Sequence, residues 1–164
     1  MIPRTATNHL LDLARQYPVV TLTGPRQSGK TTLCRASFPE KAYANLEQPD
    51  VRQFALEDPR AFLRGYPEGA IFDEVQRAPH LLSYLQVVVD EDRRVGRFIL
   101  TGSEQFEVLN QVNQSLAGRT GLLKLLPFSV EEMTGHFPTS PNERLVFAGF
   151  YPRIHDMHLN PTQA

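Results

Sequence analysis

Val19-Val20-Thr21-Leu22-Thr23-Gly24-Pro25-Arg26-Gln27-Ser28-Gly29-Lys30-Thr31 is the stretch on which the fold turns. A short β-branched run feeds a glycine-bounded turn, and from Lys30 the sequence returns to helix formers until Pro39, so the reading is strand, turn, helix. Gly24, Gly29, Lys30 and Thr31 have the spacing of a phosphate-binding loop. Glycine at 24 and 29 allows backbone conformations and close approaches that a side chain would block, so successive amides can point inward at a triphosphate. Lys30 then reaches the β and γ phosphates. Thr31 offers a hydroxyl to magnesium, and the helix beginning near Gly29 adds its positive N-terminal end to the field. Pro25, Arg26, Gln27 and Ser28 form the body of the loop, with Arg26 expected to face solvent.

Further along, Gly69-Ala70-Ile71-Phe72-Asp73-Glu74-Val75 is an apolar run that ends in two acids, the pattern of a buried parallel strand whose C-terminal tip reaches a site. In a nucleoside triphosphatase the first acid, Asp73, holds magnesium directly or through water, and the second, Glu74, polarises the attacking water as a general base. Adjacent residues on a strand point to opposite faces, which suits this division of labour. Thr101 and Ser103 follow a fourth strand expected beside the phosphate site. Either hydroxyl could meet the γ phosphate or orient the water, and Ser103 could equally be a helix N-cap. Arg119, after Leu116-Ala117-Gly118, could approach a nucleotide in its own or a neighbouring subunit, or could be a cation on helix C-terminal carbonyls.

Outward from these motifs, strands and helices alternate. Residues 5–17 carry apolar positions at helical spacing and residues 41–46 read as a second strand. Residues 50–66 form two short helices broken at Pro59, and a helix is expected from Pro79 to the charged cluster at 90–94. Residues 97–100 give the fourth strand, 104–117 a helix and 120–128 a fifth strand. Ser129 and Glu132 have the spacing of a capping box. This order predicts an α/β fold with a parallel sheet covered by helices on both faces.

At 164 residues there is room for one ordinary domain and not for two. A net charge of -1 does not support a surface that binds nucleic acid by neutralising phosphates. The single cysteine, Cys34, cannot close an intramolecular disulfide and is expected to be a buried, inert thiol. With no signal-like N-terminus and no membrane-length apolar run, a cytoplasmic location is expected. His155 and His158, close in sequence, are read as tail residues.

Taken together, Gly24 through Leu33, Ile71-Phe72-Asp73-Glu74-Val75-Gln76-Arg77-Ala78-Pro79, Ile99-Leu100-Thr101-Gly102-Ser103 and Leu116-Ala117-Gly118-Arg119 resemble a large prokaryotic group of AAA-like P-loop ATPases. The match covers about residues 1–135. Members resemble archaeal-type ATPases and commonly carry a C-terminal domain related to restriction-type nucleases. The resemblance implies a three-layer P-loop NTPase sandwich with a mainly parallel five-stranded sheet of the additional-strand, catalytic-glutamate type, and it implies that the acid-bearing strand lies beside the loop strand. It also implies ATP rather than GTP, places Thr32 in the nucleotide-binding block, assigns Thr101 or Ser103 to the sensor position and aligns Arg119 with the arginine of the family. Gly149-Phe150-Tyr151-Pro152 looks like the family's lead-in to its C-terminal region. On this reading residues 1–135 are the ATPase domain, and residues 136–164 are a linker and the truncated start of a C-terminal region.

The expected activity is magnesium-dependent hydrolysis of ATP, coupled to an unknown protein partner, with self-association open and no membrane role. A nucleotide-binding interaction module with negligible turnover is the first rival. A small-molecule kinase is the second, although no basic lid segment is evident. A nucleic-acid-stimulated ATPase is a variant of the leading reading.

Overall fold

The computed structural model describes residues 2–103, 112, 114–136 and 149–157. Five strands form one parallel sheet: β1 (Val19–Gly24), β2 (Ala42–Asn45), β3 (Ala70–Asp73), β4 (Phe98–Ser103) and β5 (Thr120–Lys124), in the order β2-β3-β4-β1-β5. The acid-bearing strand β3 is therefore not the neighbour of the loop strand β1, contrary to expectation. β4 is inserted between them, pairing with β3 on one side and β1 on the other. The physical consequence is that the end of β4, with Thr101 and Ser103, stands between the phosphate loop and Asp73.

Two helical layers cover the sheet. On one face α1 (Ala6–Ala14) and α2 (Lys30–Ser37) lie over Val20, Leu22, Ile71, Ile99, Leu123 and Leu125, with Leu10, Leu33 and Cys34 filling the space between. On the other, α3 (Pro49–Glu57), α4 (Pro59–Arg64) and α5 (Leu81–Glu91) pack on Val19, Phe72, Phe98 and Leu100. Side chains alternate along each strand, so residues in register sort cleanly between the two cores. Pro59 separates α3 from α4 as expected, and Asp58 caps α4 by accepting from the Ala61 amide at 2.9 Å. α5 begins at Leu81 rather than at Pro79, because a 3-10 turn (Val75–Arg77) comes between β3 and the helix.

β5 stops at Lys124, short of the predicted 128. Leu125 keeps a ladder bond to the Thr23 carbonyl at 2.7 Å, and the chain then leaves the sheet through Pro127 towards α6 (Val130–His136). The Ser129–Glu132 capping box is present: the Ser129 amide donates to Glu132 Oε2 at 2.8 Å and the Glu132 amide to Ser129 Oγ at 3.1 Å. Most of the predicted helix 104–117 and of the predicted linker lies outside the described residues, as does His158. Residues 149–157, with α7 (Pro152–Asp156), lie against the body. The Phe128 amide donates to the Phe150 carbonyl at 2.8 Å, and Phe150 packs with Ile2, Phe128 and Met133. His155 meets the Gly149 carbonyl at 2.7 Å and the Phe128 ring edge. Among the described residues no helix is long and apolar enough to cross a membrane.

Candidate functional site

The β1–α2 turn carries positive φ at Gly24, Gln27 and Gly29. Gly29 precedes α2 at φ 89, where the lack of a Cβ removes the strain of a left-handed conformation. Gly24 answers a different demand. A Cβ there would lie 2.0 Å from the Leu125 carbonyl oxygen, so the close approach that requires glycine is to β5. Gln27, at φ 62, is a left-handed residue that the spacing did not single out. Ser28 is fully buried and closes the turn, its hydroxyl donating to the Pro25 carbonyl at 2.9 Å. Arg26 is exposed, as expected.

Lys30 is buried and its ammonium donates to the carbonyls of Gly24 at 3.0 Å and Pro25 at 2.8 Å, so the charge sits inside the curve of the loop. Burial lowers its pKa, and the nearby carboxylates of Glu74 and Asp73 oppose that shift. Cys34, one turn along α2, is fully buried and its thiol is pushed up to about 12 by burial and by the Asp73 charge, which makes it inert.

Register explains the rest of the cluster. Ile71 pairs with Tyr43 on one side and Ile99 on the other, so Tyr43, Asp73 and Thr101 share the sheet face that α2 covers. Asp73, 4% exposed, accepts from Thr31 Oγ1 at 2.9 and 3.1 Å, from the Tyr43 hydroxyl at 2.7 Å and from Thr101 Oγ1. Thr31, Asp73 and Thr101, singled out from sequence on separate elements, thus meet in one hydrogen-bonded group. Tyr43 was not among the residues singled out from the sequence. The signal was available in its place on the second strand, an even number of residues from the tip. Burial and its bond to Asp73 push the phenol well above its ordinary range, so it stays a proton donor.

Glu74 is not on the strand, as the alternation argument assumed. β3 ends at Asp73, and Glu74 turns out of it in a left-handed conformation, φ 59 and ψ 49. Its amide donates to Thr101 Oγ1 at 3.3 Å and its carboxylate accepts from the Gln76 amide. Thr101 therefore touches both acids. Ser103 pairs in register with Gly24, beside the root of the loop, and is nearly buried. Arg119 does not join this group. Its carbonyl accepts from the amide of Val19, the first residue of β1, which puts it at the N-terminal end of the strands, opposite the loop. There its guanidinium pairs with Asp90 at 2.6 and 2.8 Å and donates to the Ala117 carbonyl at 2.9 Å.

The donor set around Thr31 and Asp73 suits magnesium, which takes hard oxygen ligands and few of them from protein. Thr31 spends its proton on Asp73, leaving its oxygen lone pairs for a cation. Among the described residues no group of three or more His, Cys, Asp or Glu forms an all-protein metal cage, and magnesium bound with phosphates does not need one.

Beside the loop, a cavity of about 340 Å³ opens over Gly29 and Thr32. Ile2, Pro3, Leu11, Leu33, Phe128 and Pro152 give it mostly apolar walls. Its position was not legible from the motifs, because the walls come from the N-terminal segment, the exit of β5 and residues after 148. Arg4 ties these parts together. Its guanidinium donates to the Ser28 carbonyl at 2.8 Å, to the Leu126 carbonyl at 2.6 Å and to Glu132 at 3.1 Å, and it lies 4.8 Å from the centre of the Phe128 ring. Glu132 also accepts from the Thr5 amide at 2.7 Å.

Residues 16–134 match the family described as an AAA domain. An uncharacterised protein of Mycobacterium tuberculosis is 37% identical over 152 residues, covering 91% of this chain and 33% of that protein, and a Mycobacterium bovis protein matches equally. The chain thus spans about a third of the length of these curated relatives. Among solved structures, the Walker-type ATPase of Pyrococcus abyssi matches with TM-score 0.60 at 17% identity, over 93% of this chain and 65% of that one. AMPPCP-bound DnaA from Aquifex aeolicus matches with TM-score 0.59 at 16% identity, over 94% and 59%. At these identities the structural matches speak to the fold.

Proposed function

The chain belongs to the AAA domain family, and from that premise we propose that it binds ATP with magnesium and hydrolyses it to ADP and phosphate. The observation that carries the reading is the meeting of Thr31, Asp73 and Thr101 beside the buried Lys30, with Glu74 one residue further on. The loop amides and Lys30 cradle the phosphates, and Thr32 and the cavity over Gly29 receive the nucleoside end. Thr31 and Asp73 are the residues that would hold magnesium, which would supply positive charge against the phosphates. Glu74 takes the proton of the attacking water as its oxygen bonds to the γ phosphorus and the bond to the β-phosphate oxygen breaks. Thr101 holds the Glu74 backbone and the Asp73 carboxylate in one frame, and Ser103 supplies a hydroxyl near the loop root.

A second reading rests on the position of Arg119. In its own chain it is at the end of the strands opposite the loop, paired with Asp90, and is not available to the loop. Arg119 would then serve the nucleotide of a second copy, and the lone chain would bind ATP with little turnover. The coupled partner is proposed to be a protein, since a net charge of -1 gives no support to nucleic acid.

Steady-state phosphate release measured beside an ATP-binding titration tests both. Lys30→Ala should abolish nucleotide binding. Glu74→Gln should retain ATP while lowering turnover by roughly 10²- to 10⁴-fold. Turnover per chain that rises with protein concentration and vanishes in Arg119→Ala favours the second reading. Failure of the wild-type chain to bind ATP and magnesium sinks the proposal.

A further inference from the structure

We propose that Tyr43 is a positioning residue for magnesium: its phenol fixes the Asp73 carboxylate in the orientation that receives the cation. The inference rests on the reading of Thr31 and Asp73 as the magnesium site.

The geometry comes from three neighbouring elements. In the sheet order β2-β3-β4, Asp73 ends the middle strand, and it is held from both sides: Thr101 on β4 bonds Oδ1 and Tyr43 on β2 bonds Oδ2 at 2.7 Å. Thr31 reaches both oxygens from α2 above. An ionised carboxylate offers about four acceptor positions, so three hydroxyl donors leave roughly one for a cation or its bound water. Without Tyr43, Oδ2 keeps only Thr31 among these donors, and the oxygen of Thr31 is the group the cation needs. The carboxylate is then held by two hydroxyls instead of three and is less firmly fixed about its terminal bond, a broad two-fold torsion.

Tyr43 itself has little freedom. Its ring packs with the core between the sheet and α2, and the Arg35 guanidinium stacks on it at 4.9 Å from the ring centre. The hydroxyl is thus delivered by a fixed plane rather than by a flexible stem. A phenylalanine at 43 keeps the plane and removes the donor, which separates positioning from packing.

The test is equilibrium binding of the slowly hydrolysed analogue AMPPCP to wild-type protein and to Tyr43→Phe, each with magnesium and with EDTA. The readout is the ratio of the two affinities, which packing damage alone does not move. In Tyr43→Phe this ratio should fall by roughly tenfold, the size of one lost hydrogen bond to a charged acceptor, while affinity in EDTA stays within about twofold. An unchanged ratio in Tyr43→Phe, or an equal loss with and without magnesium, overturns the proposal. Failure of the wild-type protein to bind the analogue would instead overturn the magnesium-nucleotide reading beneath it, and the wild-type arm distinguishes the two.

Discussion

Asp73 and Glu132 are both buried, 4% and 8% exposed, yet they are satisfied in opposite ways. Asp73 accepts from the hydroxyls of Thr31, Tyr43 and Thr101. Glu132 accepts from the Arg4 guanidinium, from the amides of Thr5 and Ser129 and from the Thr5 hydroxyl. Neutral donors fill lone pairs without cancelling charge, so the negative field at Asp73 stays open to a cation. A guanidinium cancels it, so Glu132 can tie chain segments together but has no charge to offer a ligand. The two carboxylates differ less in burial than in what their partners leave unspent.

The largest effect should come from exchanging the damage. Glu132→Ala leaves Arg4 without its acid in a buried setting and is expected to lower the unfolding free energy by about 3 kcal/mol. Asp73→Asn should change it by less than about 1 kcal/mol, since hydroxyls can reorient to an amide, yet it should remove the magnesium-dependent part of ATP affinity. Urea unfolding and nucleotide titration of both variants check this, and similar stability losses in the two would erase the distinction.

Acid should sharpen the contrast. Burial pushes Glu132 up, but the amides of Ser129 and Thr5 and the charge of Arg4 outweigh it and hold the carboxyl below its ordinary value of 4.5. A depressed folded value contributes stability that is complete above the unfolded value and is lost as pH falls through the folded one. Wild-type stability should therefore decline as pH drops below about 4.5, and Glu132→Gln should flatten part of that decline in urea melts at successive pH values. The smallest effect is expected for Ser129→Ala, about 1 kcal/mol from the lost helix cap, with magnesium-dependent ATP binding unchanged. A change in that binding would mean that the two carboxylates are coupled.

Local chemistry was legible in the sequence and assembly less so. The phosphate-loop spacing, the break at Pro59, the Ser129–Glu132 box and the buried thiol at Cys34 each depend on residues within a turn or two of one another. The strand order does not: nothing in the letters of β3 says that β4 lies between it and β1, and the assumption of direct adjacency failed there. Glu74 was assigned to a strand because alternation continues on paper, whereas the chain has already turned. Of the two readings of Arg119, its bond to the Ala117 carbonyl agrees with the cation on backbone carbonyls, and only the pairing of Val19 puts it at the end of the strands away from the loop. Tyr43 and the cavity walled by Ile2, Phe128 and Pro152 unite residues far apart in the chain, a kind of information that periodicity does not hold.

Gly24 has a mechanical consequence. The root of the phosphate loop rests on the Leu125 carbonyl with no room for even a methyl group between them, and Leu125 is the last residue bonded to β1 before the chain departs towards Pro127. A shift of that departing segment would therefore press on the root of the loop directly, with no side chain between them. If the loop holds a nucleotide as proposed, whatever is attached beyond β5 would have a short lever on it, and the nucleotide would have the same lever in return.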